Sequence, residues 1–450
     1  MEKRLITKTR EEEILEKYKK YRISPWVVQS KTDHRVIAKT EGCFLWDASG
    51  NSYYDLWSQF CFVNVGHQHP HVVEAIKSQA DKICALNPGM ANEAAGRLAE
   101  EIVQVAPEGM AKVFFTLGGT DANEHAIRMA RVFTGKNKIL SRYRSYHGAT
   151  MGALSASGDP RRFGAEPIPA GFVRVPDCYC YRCPFEKSNS ECNLLCARHI
   201  ETVIELEGDI AAVLIEPVVG ANGLLIPPPG YIRTLKEICD RKGVLLIADE
   251  VMTGFGRTGR WFACEHDNVT PDLMTIAKGL TSGYEPLGAV ILASHVADYF
   301  QSHSLPCGLT YSSHPLSCAA GVAVLEVMRD EKLIENSERL GRFLETELEA
   351  IKDQHPCVGD VRSIGLFGCI ELVADRETKT PLVPWNSTGA TTNPTKEMTN
   401  YLMSKGILPR IRWSYFNIGP PLNTSEDELK WVLHNVNEAL SITDEYVQKS

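Results

Sequence analysis

The sequence predicts an α/β protein in which a large, doubly wound and mainly parallel sheet is joined by a smaller α+β unit. Three observations carry that reading. Six short runs rich in Val, Ile, Leu and Phe, at Lys112 to Thr116, Lys138 to Ser141, Ile210 to Ile215, Val244 to Ala248, Leu273 to Ile276 and Ala289 to Leu292, are too short for buried helices and read as strands. Amphipathic stretches such as Asp121 to Phe133 and Tyr231 to Lys242 lie between several of them, the alternation expected of strands wound with helices. After about residue 320 the alternation stops, and one long helix-like stretch, Ala319 to Met328 and onward through Leu348, is followed by short strand candidates at Val361 to Glu371.

Taken in order, the first sixty residues hold a charged helix and then CFLWDASGNSYYDL, a hairpin with its turn at Ser49, Gly50 and Asn51. The six runs then form the central sheet. The segment Pro381 to Pro394, rich in Pro, Thr, Asn and Gly, reads as an exposed loop. The expected division is an N-terminal segment over 1–65 that contributes to the small domain, a large domain over 66–320 and a C-terminal small domain over 321–450. No internal repeat and no low-complexity tract interrupts this plan.

A chain of 450 residues, 44% hydrophobic and 23% charged, has enough apolar material for a large core and at least two structural units. A formal charge of -8 supplies no concentrated basic surface for nucleic acid or an anionic membrane, so the expected partners are small molecules or another subunit. The N-terminal stretch MEKRLITKTREEEILEKYKKYR lacks the apolar core of a signal peptide, and no stretch approaches eighteen uninterrupted apolar residues; a cytoplasmic location is the expectation. Most of the 14 cysteines, among them Cys239, Cys264, Cys318 and Cys369, sit in apolar segments and read as reduced packing residues. Cys178, Cys180, Cys183, Cys192 and Cys196, with His199 behind them, are clustered, but their spacing fits no common zinc template. The favoured reading is a cysteine-rich surface insertion without metal.

The chemistry concentrates at strand ends. The run Val244 to Ala248 leads into Asp249 and Glu250, and 29 residues past Asp249 another strand runs directly into Lys278. Ligands of open α/β sheets sit beyond the carboxyl ends of the strands, so both groups belong to one edge. Desolvation at such a place lowers a lysine's pKa, as an amine nucleophile requires, and a nearby carboxylate can keep a pyridine nitrogen protonated. Alone, an ordinary salt bridge is the better account of the pair, and the neighbouring motifs are what shift the balance. After Lys112 to Thr116 comes Gly118-Gly119-Thr120 opening a helix, which reads either as an anion site or as a helix cap formed by Thr120 or Asp121.

Together these features resemble the class III aminotransferases, pyridoxal-phosphate enzymes of fold type I, over nearly the whole chain. The matching motifs are GGTDANE at 118–124, YHG at 146–148, EP at 216–217, DEVMTGFGRTG at 249–259, AKG at 277–279 and TYSSHP at 310–315. The resemblance implies that Lys278 carries pyridoxal 5′-phosphate covalently and serves as the proton-transferring base, and that Asp249 pairs with the ring nitrogen. It further implies that Val251 packs beneath the ring, Tyr146 stacks above it with His147 beside it, and Gly119 and Thr120 hold the phosphate. Glu216 belongs to the surrounding carboxylate shell, either at the cofactor or orienting its neighbours. Thr310 reaches the phosphate of the neighbouring subunit, which implies a homodimer with shared active sites; further pairing into a tetramer stays open.

For the substrate, the resemblance puts a carboxylate- or sulfonate-binding arginine at Arg410, ten residues before Pro420, with Arg412 either a second contact or a solvated surface residue. Met252 stands where the ornithine, acetylornithine and 4-aminobutyrate branches usually have Gln, and Ala221 where they usually have an acid that neutralises the arginine. The segment at 54–70 is more similar to the taurine and ω-amino-acid branches, with Trp26, Trp57, Phe60 and Phe62 as candidate walls of the amine pocket. The expected donor is a short ω-amine with an acidic head, taurine before β-alanine or 4-aminobutyrate, and the acceptor 2-oxoglutarate or pyruvate. An amino acid racemase or epimerase is the alternative, because such enzymes keep the same lysine and aspartate.

Overall fold

A computed structural model describes residues 4–188, 191–387 and 393–447. Its largest sheet has seven strands in the order Met110–Thr116, Gly288–Ala293, Leu273–Ile276, Leu245–Asp249, Ile210–Ile215, Lys138–Arg142, Phe172–Val175. Five neighbouring strands, from Leu273–Ile276 to Phe172–Val175, run parallel, while Gly288–Ala293 is antiparallel to both of its neighbours. Every residue of Ile210–Ile215, Leu245–Asp249, Leu273–Ile276 and Gly288–Ala293 is buried, because helices cover both faces of the sheet and leave no polar side to the strands. Each of the six apolar runs in the sequence coincides with one of these strands to within two residues at either end. The seventh, Phe172–Val175, sits at the sheet edge with only Val175 buried, so it carries no apolar run of its own.

The parallel arrangement brings the carboxyl ends of several strands to one edge. Thr116 leads to Gly118 and the helix Gly119–Thr134, Arg142 to Tyr146 and His147, Ile215 to Glu216, and Ile276 to Lys278, while Asp249 ends its own strand. The helix Gly119–Thr134 buries Ala122, Asn123, Ala126, Ile127, Met129 and Ala130 against the sheet and stops at Gly135, whose φ of 67° gives the left-handed cap that glycine adopts most easily.

Two smaller sheets lie outside this one. Val358–Ser363, Gly368–Asp375, Tyr415–Ile418 and Arg410–Arg412 form an antiparallel sheet, with Thr380–Pro381 paired to the second strand. The hairpin Phe44–Asp47 and Ser52–Asp55 turns at the expected residues, with Gly50 at a φ of 95°. Ile37–Glu41 extends it on one side, and on the other Ile407–Leu408 pairs in parallel, setting Leu408 opposite Asp55. The start and end of the chain therefore share a sheet.

The stretch read as one long helix is two, Pro315–Asp330 and Leu333–Gln354, broken where Lys332 takes a left-handed φ of 53°. The apolar periodicity runs through the break, which is why the sequence conceals it. In the segment Pro381 to Pro394, Trp385 and Asn386 form a turn, the helix Asn393–Ser404 begins at its end, and residues 388–392 lie outside the described residues. Among the described residues no helix is long and apolar enough to cross a membrane.

Candidate active site

At the carboxyl edge of the sheet lies a cavity of about 690 Å³, lined by Lys278, Asp249, Val251, Gly119, Thr120, Tyr146, His147 and Glu216 on one side and by Trp26, Trp57, Phe60, Arg161, Arg410 and Arg412 on the other. Asp249, 3% exposed, is held by three donors. Asn123 Nδ2 and His147 Nδ1 reach its Oδ2 at 2.8 and 2.7 Å, and the amide N of Val251 reaches Oδ1 at 3.1 Å. Asn123 also donates to the carbonyl of His147 at 2.7 Å and accepts from Thr275 Oγ1 at 2.8 Å, which fixes its amide. Because a carboxylate can only accept, the proton of neutral His147 sits on Nδ1. Oδ1 keeps acceptor capacity for a further donor.

Lys278 follows the buried strand Leu273–Ile276 with a left-handed φ of 47°, an uncommon conformation for a side chain and one that the packing around it maintains. Its accessible part opens on the cavity, and desolvation lowers its ammonium below the ordinary lysine value against the opposing pull of Cys61, Asp249 and Glu216. Burial pushes the Glu216 carboxyl up. Its oxygens accept from the backbone N of Tyr146 at 2.9 Å and of Gly220 at 3.0 Å, so Glu216 fixes the two loops on either side of the cavity.

The helix Gly119–Thr134 opens on the same space. Gly118 stands at its cap position with no side-chain capping bond, so neither Thr120 nor Asp121 closes the helix start. A Cβ on Gly119 would lie 2.7 Å from Cγ1 of Val251, and one on Gly148 2.6 Å from Oγ1 of Thr120. Glycine at both places leaves the free N–H groups of the first turn open to an anion.

On the other side, Arg410 and Arg412 alternate along the strand Arg410–Arg412 and so share a face. Arg412 Nη1 is tied to Asp159 Oδ2 at 3.0 Å, to the carbonyl of Ala221 at 3.0 Å and to Asn222 Oδ1 at 3.3 Å. Arg410 lies 5.5 Å over the ring of Phe60 and makes no ion pair among the described residues. Trp57 begins a tight turn in which Ser58, Gln59 and Cys61 all have positive φ. Asp55 holds that turn by accepting from the N of Gln59 at 3.0 Å, and the buried Arg257 by donating to Ser58 Oγ at 3.0 Å. Trp26, 61% exposed, borders the mouth. Phe62 is not among the lining residues, and its ring sits against Gly283. Thr310 lies outside this cavity, exposed on the loop that precedes the helix Pro315–Asp330.

Three residues of the site were not visible in the sequence. Asn123 falls inside the GGTDANE motif but on the buried face of its helix. Asp159 and Arg161 belong to a loop and turn whose composition signals nothing. There Asp159 caps the turn Pro160–Ala165 and binds Arg161 Nε at 2.8 Å and Nη2 at 3.1 Å, while the Arg161 guanidinium lies 3.5 Å over the ring of Tyr146.

Cys178, Cys180, Cys183, Cys192 and Cys196 border one small void together with Phe185, whose ring meets His199 edge-on at 5.5 Å. Burial pushes the thiols of Cys180 and Cys196 up to about 11 and about 12. Among the described residues no three His, Cys, Asp or Glu side chains are grouped so as to hold a metal ion.

The family whose sequence pattern matches, over residues 27–440, is the class III aminotransferases. The taurine–pyruvate aminotransferase of Bilophila wadsworthia is 37% identical over 368 residues, 77% of this chain and 79% of its own. The leucine/methionine racemase of Thermococcus litoralis is 36% identical over 387 residues, 82% of this chain and 84% of its own. The solved structure of taurine:2-oxoglutarate aminotransferase from Bifidobacterium kashiwanohense, in complex with PLP and glutamate, superimposes with a TM-score of 0.93 at 38% identity, over 97% of this chain and 99% of that one.

Proposed function

Because this chain belongs to the class III aminotransferases, which work with pyridoxal 5′-phosphate, we propose that it moves the amino group of a short ω-amine with an anionic head, taurine first, to a 2-oxo acid. The residues present fit the cofactor. The glycine-lined helix start suits its phosphate, the free lone pair of Asp249 its ring nitrogen, and the space between Val251 and Tyr146 its ring.

When bound, the cofactor supplies an electron sink for the substrate's amine-bearing carbon. Lys278 would hold it covalently, and its Nζ, whose ammonium is lowered by desolvation, would be the group that moves the proton at the amine-bearing carbon. Asp249, fixed by His147 and Asn123, keeps the ring nitrogen protonated. Glu216 orients Tyr146 for stacking, and Arg410 binds the anionic head. In a homodimer, Thr310 of each chain completes the phosphate site of its neighbour.

One observation carries the choice of donor: Arg410 lines the cavity with no carboxylate paired to it among the described residues. A cation in that state favours a donor that brings its own anion. Likeness to taurine aminotransferases at 37% and 38% identity supports taurine over β-alanine and 4-aminobutyrate.

The test mixes cofactor-loaded protein with taurine, β-alanine, 4-aminobutyrate and L-isoleucine in turn, without a 2-oxo acid, and follows the cofactor absorbance. Conversion to the amine form with taurine supports the proposal, and conversion only with another donor replaces taurine by that donor. Unchanged absorbance with every amine, together with deuterium uptake at Cα of isoleucine in heavy water, would establish a racemase or epimerase instead.

A further inference from the structure

The substrate end of the cavity contains three guanidinium groups, Arg161, Arg410 and Arg412, and among the described residues a single carboxylate pairs with any of them, Asp159. Asp159 is fully buried and held well below the usual carboxylate range, at about 2, by Arg161 and Arg412 against the effect of burial, so it is a full negative charge at neutral pH. Arg412 is tied down through Nη1 by Asp159, the carbonyl of Ala221 and Asn222.

Counting charges leaves two of the three cations unmatched. Arg161 binds Asp159 only through Nε and Nη2; its Nη1 makes no hydrogen bond among the described residues, and Arg410 makes no ion pair among them. The three guanidinium groups also lie close enough to repel: after burial, Arg412 and then Arg161 lower the pKa of Arg410. A substrate with one anionic group offsets one of these two positive charges and leaves the other without a counter-ion of its own. A dianion relieves both. A role for Arg161 as a mere prop under Tyr146 accounts for the stacking but not for an open donor on the same cavity.

We propose that Arg161 is a second anion-reading residue of this site and makes the acceptor a dicarboxylic 2-oxo acid of the 2-oxoglutarate type in preference to pyruvate. One carboxylate pairs with Arg410 and the other with Arg161 Nη1. The proposal rests on the transaminase reading above, but not on its choice of donor.

Two measurements test it. In the first, the unreactive dianion glutarate and the monoanion butyrate are titrated into pyridoxal-phosphate-loaded protein, with cofactor absorbance and melting temperature as readouts. Glutarate binds at least about ten-fold more tightly than butyrate, and Arg161→Gln narrows the gap to about two-fold while Arg161→Lys keeps part of it. In the second, protein loaded with pyridoxamine phosphate meets 2-oxoglutarate or pyruvate with no amine donor present. The ratio of their single-turnover efficiencies favours 2-oxoglutarate and falls by about ten- to a hundred-fold in Arg161→Gln. Equal binding of glutarate and butyrate by the unaltered protein, which needs no variant, overturns the proposal. So does an unchanged ratio in an Arg161→Gln protein that melts normally. If neither 2-oxo acid reacts, the transaminase reading fails and this proposal with it, whereas failure of taurine as a donor touches neither measurement.

Discussion

Replacing Gly119 by alanine tests the proposed phosphate end of the site. The added Cβ would stand 2.7 and 2.9 Å from Cγ1 and Cγ2 of Val251, where carbon atoms normally keep about 3.5–4.0 Å. The two residues must separate by about 1 Å. Val251 does not retreat freely, because its N–H donates to Asp249 Oδ1 at 3.1 Å and Asp249 is itself pinned by His147 and Asn123. The helix start therefore shifts instead, or Asp249 is dragged off its place; overpacking of this kind costs about 1–3 kcal/mol. If that strain falls on the cofactor-bound state, pyridoxal phosphate binds about 5- to 150-fold more weakly. Stripping the cofactor and titrating it back, with quenching of protein fluorescence as readout, measures the change. Val251→Ala removes both clashing methyl groups, so the double variant should recover most of the affinity and give an interaction energy of about 1–2 kcal/mol in the double-mutant cycle. Binding within about two-fold of the unaltered protein by Gly119→Ala, or no recovery in the double variant, would refute the steric argument.

Three further outcomes are expected. Lys278→Ala abolishes transamination and leaves the cofactor removable by dialysis; borohydride treatment of the unaltered protein attaches it to the peptide containing Lys278, seen by mass spectrometry. The Asp159 carboxyl lies at about 2 in the folded protein, below its unfolded value, so its contribution of about 2 kcal/mol is present above about pH 4 and is lost as pH falls through about 2. Asp159→Asn should accordingly unfold earlier in urea at pH 7 and lose that difference in strong acid. Glu265 behaves oppositely: burial and then repulsion by Glu250 push it up to about 7 against the pull of Arg260, so its contribution is present below about pH 4.5 and is lost as pH rises through about 7. Being partly exposed, it gives a discounted effect of about 1 kcal/mol, and Glu265→Gln should raise the melting temperature at pH 8 but not at pH 4.

How far the sequence disclosed the molecule depended on where each residue gets its meaning. Strands such as Ile210–Ile215 are covered on both faces and so are written as unbroken apolar runs; the edge strand Phe172–Val175, with one buried residue, leaves no such trace. Lys278 and Asp249 were legible only alongside the glycine-rich and other motifs, because a strand-end carboxylate and lysine alone are accounted for by a salt bridge. Arg410 was legible only through likeness to relatives. Asp159 and Arg161 were not, since a loop aspartate and arginine acquire significance only when Arg412 arrives from the far end of the chain. Phe62 illustrates the reverse. An aromatic beside the cavity segment looks like a wall, yet which way it turns depends on Gly283, which the local sequence does not reveal.

The parallel pairing of Ile407–Leu408 with Ser52–Asp55 makes one wall of the cavity depend on a single contact between distant segments. Leu408 stands opposite Asp55, and two residues beyond each lie Arg410 and Trp57, both on the cavity wall. This wall of the cavity is thus assembled from segments far apart in the sequence, across a long loop whose closure carries an entropic cost. Loss of that pairing would open the wall that carries Arg410 and Trp57 while leaving the seven-stranded sheet, with Lys278 and Asp249 at its edge, its own strand ladder.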